Sequence, residues 1–243
     1  MTNQSTATGP ARRILRMLPE KIDPRHTAMI VVDVQNDFCH EASVYAQRGH
    51  NVTFIQEMIP RLTATIDAAR AAGALIIFLR IVQSPDTNSD AWEALESDDG
   101  PRLVMEGTWG ADYYGPIRPL PGEREIIKRR HSGFNRTPLD LMLRSQNIKT
   151  VVVGGVASNV CVEATAREAA DNDYYVVVLG DGSAAAQREW HEATLHTISA
   201  YIGQVATCHE VMDAWAGVIP QQSSDAQQAA AVTTGQAPTG AKL

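Results

Sequence analysis

Three side chains of complementary chemistry sit at or just after the ends of β-rich runs. Cys161 lies in VVVGGVASNVCVEATAREAAD (151–171), Asp33 closes TAMIVVD (27–33), and Lys128 closes REIIK (124–128). A thiolate is a strong nucleophile. A carboxylate can take the thiol proton and return it to a leaving amine, and an ammonium favours thiolate while offsetting charge on a tetrahedral intermediate. Such a set suits hydrolysis of an amide-like bond. Taken singly, each residue has a plainer use: Cys161 as a small buried hydrophobe, Asp33 as a turn or cap residue.

The elements around them decide whether they can meet. Val151–Val153 reads as a buried strand, Gly154 and Gly155 as a turn, and the following residues as a helix with Cys161 in its first turn. Ser158 or Asn159 would cap that helix, whose positive end favours thiolate. Thr27–Asp33, Ala74–Arg80 and Tyr174–Leu179 are further strands, with Arg124–Lys128 and Gln204–Thr207 as shorter ones. From Asn51 to Ala72, apolar residues recur every three and four positions up to Gly73, which predicts a helix and its stop. Thr137-Pro138 starts another helix; Arg188–Tyr201 and His209–Trp215 read as two more.

Strands alternating with helices predict an α/β fold, a three-layer doubly wound sheet of about six mostly parallel strands. Such strands end on one rim, where open α/β sheets bind ligands. Asp33, Lys128 and Cys161 can therefore converge there. The predicted organisation is an N-terminal arm (1–26), solvated or wrapped around a sister subunit, a hydrolase domain (27–218) and a flexible tail (219–243). The 81–124 connection is long and rich in Pro, Gly, Asp and Trp, and its Trp109 could line a pocket or simply pack.

Totals narrow the class. The chain has 243 residues, 44% hydrophobic and 20% charged, enough for one domain with a full core. A net charge of -7 disfavours nucleic acid or anionic membrane as partner. Cys39, Cys161 and Cys208 are far apart and form no CxxC pair, which argues against disulfides or zinc and suits a cytoplasmic setting. No apolar run approaches transmembrane length.

IVVDVQNDF (30–38), AARAAGALIIFLR (68–80), IIKRRHSGFNRTPLDLMLRSQNI (126–148) and VVVGGVASNVCVEATAREAADNDY (151–174) together resemble the isochorismatase-like cysteine hydrolases. The resemblance runs from about Thr27 to Trp215. It implies a catalytic triad of Asp33, Lys128 and Cys161, and a cis peptide between Val156 and Ala157 that aims the N–H groups of Ala157 and Cys161 at an oxyanion. Nicotinamidase-like members carry an Asp-x-His metal motif after the second strand. The equivalent RIVQSPDTNSDAW (80–92) has no histidine, so no metal and no cofactor is expected. True isochorismatases lack the cysteine, so Cys161 points to C–N hydrolysis.

The nearest branch acts on carbamoyl and ureido compounds: ureidoacrylate, N-carbamoylsarcosine, biuret or triuret. By the same resemblance, Phe38 is an apolar wall beside Asp33. Gln187 falls near an arginine of the N-carbamoylsarcosine enzymes, and Tyr201 replaces a glutamine of the biuret hydrolases. A homo-oligomer, tetramer or dimer, is also implied. Two other classes compete: a vinyl-ether hydrolase using Asp33 and Lys128 alone, and a non-catalytic binding protein on the same fold.

Overall fold

The structure, a computed structural model, describes residues 13–95 and 101–217. The expected flexible tail and the first part of the arm lie outside these residues. Six strands form one sheet: β1 (Thr27–Val32), β2 (Leu75–Ile81), β3 (Arg124–Lys128), β4 (Thr150–Val156), β5 (Tyr175–Ala184) and β6 (Gln204–Ala206). Their order is β3-β2-β1-β4-β5-β6 and every pairing is parallel.

The central strands are buried on both faces because helices cover both. Five longer helices do this: α1 (Thr53–Ala72), α2 (Leu139–Ser145), α3 (Glu163–Asp171), α4 (Arg188–Tyr201) and α5 (Cys208–Ala216). Side chains alternate along a strand. Met29, Val31, Phe78 and Val152 therefore pack with Met58 and Leu62 of α1 and Trp215 of α5. Ile30, Val32, Leu79 and Val153 pack on the other face with Leu143 of α2, Ala166 of α3 and Ile198 of α4. The result is the three-layer sheet that the β-α alternation predicts. Gly73, at φ 76, ends α1 in the left-handed conformation open to glycine.

From β1 the sheet is built outward on one side by β2 and β3, and on the other by β4, β5 and β6. Such a reversal leaves a crevice beyond the carboxyl ends of the two central strands. Asp33 follows β1, and Cys161 follows β4.

Boundaries differ from the sequence reading where side chains decide them. β5 runs on through Gly180-Asp181-Gly182 to Ala184 instead of stopping at Leu179. Thr137 Oγ1 accepts from the Leu139 N–H at 3.2 Å, but the N-cap position is held by Pro138 and not by Thr137. α5 begins at Cys208, with Thr207 and Glu210 exchanging hydrogen bonds as a capping box.

The described part of the arm, residues 13–26, makes contacts with the domain. Leu18–Lys21 forms a helical turn, Ile22 is 1% exposed, and its carbonyl accepts the Trp215 indole N–H at 2.8 Å. The Leu15 N–H donates to the Tyr175 hydroxyl at 3.1 Å, and the Lys149 N–H to the His26 carbonyl at 2.8 Å. Ile14 and Met17 stay exposed. Among the described residues no helix is long and apolar enough to cross a membrane.

Candidate active site

The residue after β1 turns back sharply. Asp33 takes φ 49, a left-handed conformation that aspartate tolerates better than most side chains. Its N–H donates to the Leu79 carbonyl at 3.0 Å, and its Oδ1 accepts the Ile81 N–H at 2.9 Å. The carboxylate is thus locked against the end of β2, fully buried. Lys128 reaches it from the neighbouring edge strand β3, with Nζ 2.7 Å from Asp33 Oδ2 and 3.1 Å from the Arg130 carbonyl. Both members of this ion pair are 0% exposed.

Cys161 arrives on a turn wider than an α-helix. The Val162 N–H donates to the Ala157 carbonyl five residues back, at 3.1 Å, before α3 continues in the ordinary pattern. Such widened turns recur at functional sites. No side chain caps this turn, contrary to the role expected of Ser158 or Asn159. Ser158 is fully buried, and its Oγ instead meets His191 Nδ1 of α4 at 3.1 Å. Thr165 ties the segment down, donating to the Cys161 carbonyl at 2.7 Å and accepting the Gly133 N–H at 2.9 Å. The loop after Lys128 and the helix carrying Cys161 are thereby held together. The Val156–Ala157 peptide is cis.

The Asp33 carboxylate and the Lys128 ammonium are the two charged groups that act on the Cys161 thiol. Burial pushes the thiol up, Lys128 pulls it back and Asp33 pushes it up again; the net shift is upward. Burial also raises the Asp33 carboxyl above the ordinary carboxylate range, against the opposing pull of Lys128. For Lys128, burial acts to lower, but the charge of Asp33 outweighs it and the ammonium is held charged. Burial thus overrides the helix-end field that the sequence suggested, and Cys161 rests as a protonated thiol.

One measurement follows directly. In the ligand-free protein, iodoacetamide labelling of Cys161, read by peptide mapping, should climb continuously through pH 8.5, roughly the ordinary cysteine pKa. A plateau reached at or below neutrality would mean a preformed thiolate.

A cavity of about 170 Å³ opens above the thiol. Its walls include Phe38, Trp92, Leu103, Val104 and Val160, with Gln83 and His131 as polar members. His131 Nδ1 stands 3.8 Å from Cys161 Sγ. Burial, and then the charge of Lys128, lower the His131 pKa, so the ring is neutral at pH 7. A larger depression of about 500 Å³ lies at the opposite edge of the sheet, near the starts of β2 and β3, and contains none of these groups.

Phe38 lines the cavity. The other three substrate-binding expectations are not met within this chain. Trp109 is 51% exposed and packs edge-on against His40, while Gln187 is exposed and Tyr201, at the end of α4, is 86% exposed. None of the three lines the cavity. Gln83, Trp92 and Leu103 come from the long 81–124 connection, which carries no period to reveal which of its residues turn inward. His131 follows Lys128 closely in RRHSGF, and that proximity was the available signal. Among the described residues, no three His, Cys, Asp or Glu side chains are grouped so as to hold a metal ion.

The wall of the cavity has its own anchor. Asp37, 3% exposed, accepts the Val104 N–H at 2.6 Å and holds Val104 at φ 48. Gly110 passes so close that a Cβ there would overlap the Asp37 carboxylate. Gly110→Ala should therefore destabilise the protein by about 1–3 kcal/mol, the usual cost of overpacking, and disturb the wall. Denaturant unfolding checks it; an unchanged midpoint would mean that the loop simply yields.

The geometry agrees with what the chain is similar to. An isochorismatase domain profile matches residues 27–210. A protein of Enterobacter sp. (strain 638) named ureidoacrylate amidohydrolase RutB is 34% identical over 213 residues, spanning 81% of this chain and 93% of that one. Among solved structures, a cysteine hydrolase from Pseudomonas syringae pv. phaseolicola superposes with a TM-score of 0.72 at 25% identity, covering 86% of this chain and all (100%) of that one. An isochorismatase-like hydrolase from Alkaliphilus metalliredigens gives 0.64 at 32% identity, covering 78% and 98%. Fold, profile and relatives agree: the chain belongs to the isochorismatase family of hydrolases.

Proposed function

We propose that this protein is a cysteine-dependent amidohydrolase that cleaves a C–N bond of a small carbamoyl or ureido compound and releases ammonia. The observation that carries this reading is a fully buried Asp33–Lys128 ion pair whose charges act on Cys161, a thiol that lines one small cavity. Similarity to a ureidoacrylate amidohydrolase supports the bond type.

In this reaction Asp33 takes the Cys161 proton as the sulfur attacks the carbonyl carbon. A carboxyl raised by burial is better matched to that task than an ordinary one. The carbonyl π electrons move onto oxygen, where the N–H groups of Ala157 and Cys161 receive the oxyanion, with Lys128 offsetting its charge. The tetrahedral intermediate collapses and the C–N bond breaks. Nitrogen leaves as ammonia with the proton from Asp33, and the acyl or carbamoyl group stays on sulfur. Water, deprotonated by the same carboxylate, then attacks that carbon, and the thiol is restored.

The 3.8 Å approach of His131 to the sulfur favours a second reading, in which the imidazole is the base. His131→Phe separates them. If Asp33 is the base, the variant should keep turnover within about tenfold and lose mainly binding. A loss as deep as that of a nucleophile variant would transfer the base role to His131. The primary test is an ammonia-release screen of the purified protein over ureidoacrylate, N-carbamoyl amino acids, biuret, triuret and simple amides. Turnover of at least one is expected; none across the panel would contradict the proposal.

A further inference from the structure

We infer that the substrate is an uncharged amide or urea carrying an apolar substituent, seated with its reacting carbonyl over Cys161 and the substituent against the Phe38, Leu103 and Val104 wall. The inference rests on the amidohydrolase reading and goes beyond it by assigning the charge and polarity of the group attached to the reacting carbonyl. Among the described residues that line the cavity there is no Asp, Glu, Lys or Arg. Its aliphatic and aromatic walls are Phe38, Tyr45, Ile55, Trp92, Leu103 and Val104.

The cations nearby are committed elsewhere. Lys128 is paired with Asp33 at 2.7 Å, so the buried pair is neutral as a whole. Arg129 donates to the Val82 carbonyl at 2.8 Å and stands 3.5 Å from Glu106. Arg130 lies over the Trp92 ring at 4.6 Å and donates to the carbonyls of Arg129 and Thr87. A carboxylate bound in this cavity would lose its water without gaining a counter-charge, which is strongly unfavourable. An apolar group of the same size loses nothing and gains contact with the wall.

Two polar side chains orient such a ligand. Gln83, 5% exposed, accepts the Trp92 indole N–H through Oε1 at 2.8 Å, leaving its amide N–H groups to donate to a carbonyl or urea oxygen. His131 stacks at a tilt on Trp92, ring centroids 4.8 Å apart, and meets the reacting end beside Sγ. Both are neutral, and neither compensates a substrate charge.

A matched pair of ureas isolates the effect. N-(3-methylbutyl)urea and 3-ureidopropionate have nearly the same shape, but the second replaces an isopropyl end by a carboxylate. Full-length protein would be assayed with each for ammonia release, and its intact mass read after acid quench for an adduct on Cys161. A kcat/KM at least tenfold higher for the uncharged urea is expected. Equal or better turnover of 3-ureidopropionate would overturn this substrate class while leaving the amidohydrolase reading standing. Failure of both to release ammonia or label Cys161, in a protein that also fails the wider amide panel, would take down the amidohydrolase reading and this inference with it. If the panel contains a substrate but neither urea reacts, an anionic compound as that substrate overturns the inference and an apolar uncharged one upholds it.

Discussion

Cys161→Ala is expected to lower turnover by at least about 10³-fold, the scale of loss when a covalent nucleophile is removed. The fold should survive this change. Cys161 is buried at the cavity floor, so the variant enlarges an existing opening by one sulfur atom instead of emptying a packed core. The Asp33–Lys128 pair keeps both members, and Thr165 still bonds the backbone carbonyl at position 161. A stability change of about 1 kcal/mol or less is expected, since only one small buried atom is lost. Ammonia release measured beside thermal unfolding checks both halves. Full activity in a folded variant would refute the nucleophile assignment.

Asp33→Asn should cost both activity and stability. Removing one member of a buried ion pair leaves the other charge uncompensated, typically at a cost of about 3–5 kcal/mol. Here Lys128 would remain fully buried, still donating to the Arg130 carbonyl but without a carboxylate against it. The asparagine cannot take the thiol proton, so turnover should fall by about 10²–10⁴-fold, the range attributed to a general base. Alkylation of Cys161 near neutral pH should slow as well.

The double variant Asp33→Asn with Lys128→Met separates the two effects. It removes both charges, so much of the lost stability should return while the activity does not. Urea unfolding and ammonia release on the same samples distinguish these outcomes. A double variant as unstable as Asp33→Asn would mean that the pair is not what holds this corner together. Recovery of turnover would remove Asp33 from the mechanism.

Much of this arrangement was legible in the sequence, for definite reasons. A parallel sheet buried on both faces writes itself as β-branched runs, and TAMIVVD and VVVGGV are such runs. Parallel strands share a carboxyl rim, so Asp33 and Lys128 at strand ends could be brought together across the distance between them in the chain. The spacing of apolar residues in 51–72 gave α1 and its Gly73 stop. The wide turn under Cys161 was not legible, because the choice between a capped α-helix and a five-residue hydrogen bond depends on tertiary contacts. Ser158 has a cap residue's chemistry, yet a buried histidine from α4 claims its hydroxyl.

The cavity walls were hidden for a related reason. Gln83, Leu103 and Val104 lie in irregular chain and Trp92 in a single helical turn, Asp90–Glu93, where no periodicity separates inward from outward positions. Their placement depends on contacts such as that of Asp37 with the Val104 N–H. Similarly, α4 gave no means of telling its exposed end from its buried face at Tyr201, and Trp109, read as packing more readily than as a pocket wall, packs against His40. The thiol's protonation state also turned on three dimensions. A helix end favours thiolate by a modest amount, whereas complete burial works against the charge much more strongly.

The central claim is that the sulfur of Cys161 becomes covalently bonded to the substrate's carbonyl carbon. The most direct measurement is peptide-resolved mass spectrometry of the protein quenched in acid during turnover of a compound that it hydrolyses. The account predicts an acyl or carbamoyl adduct on the Cys161 peptide that forms at least as fast as ammonia is released and disappears as substrate is exhausted. Sustained ammonia release with Cys161 unmodified at every quench time, undiminished in Cys161→Ala, would contradict it.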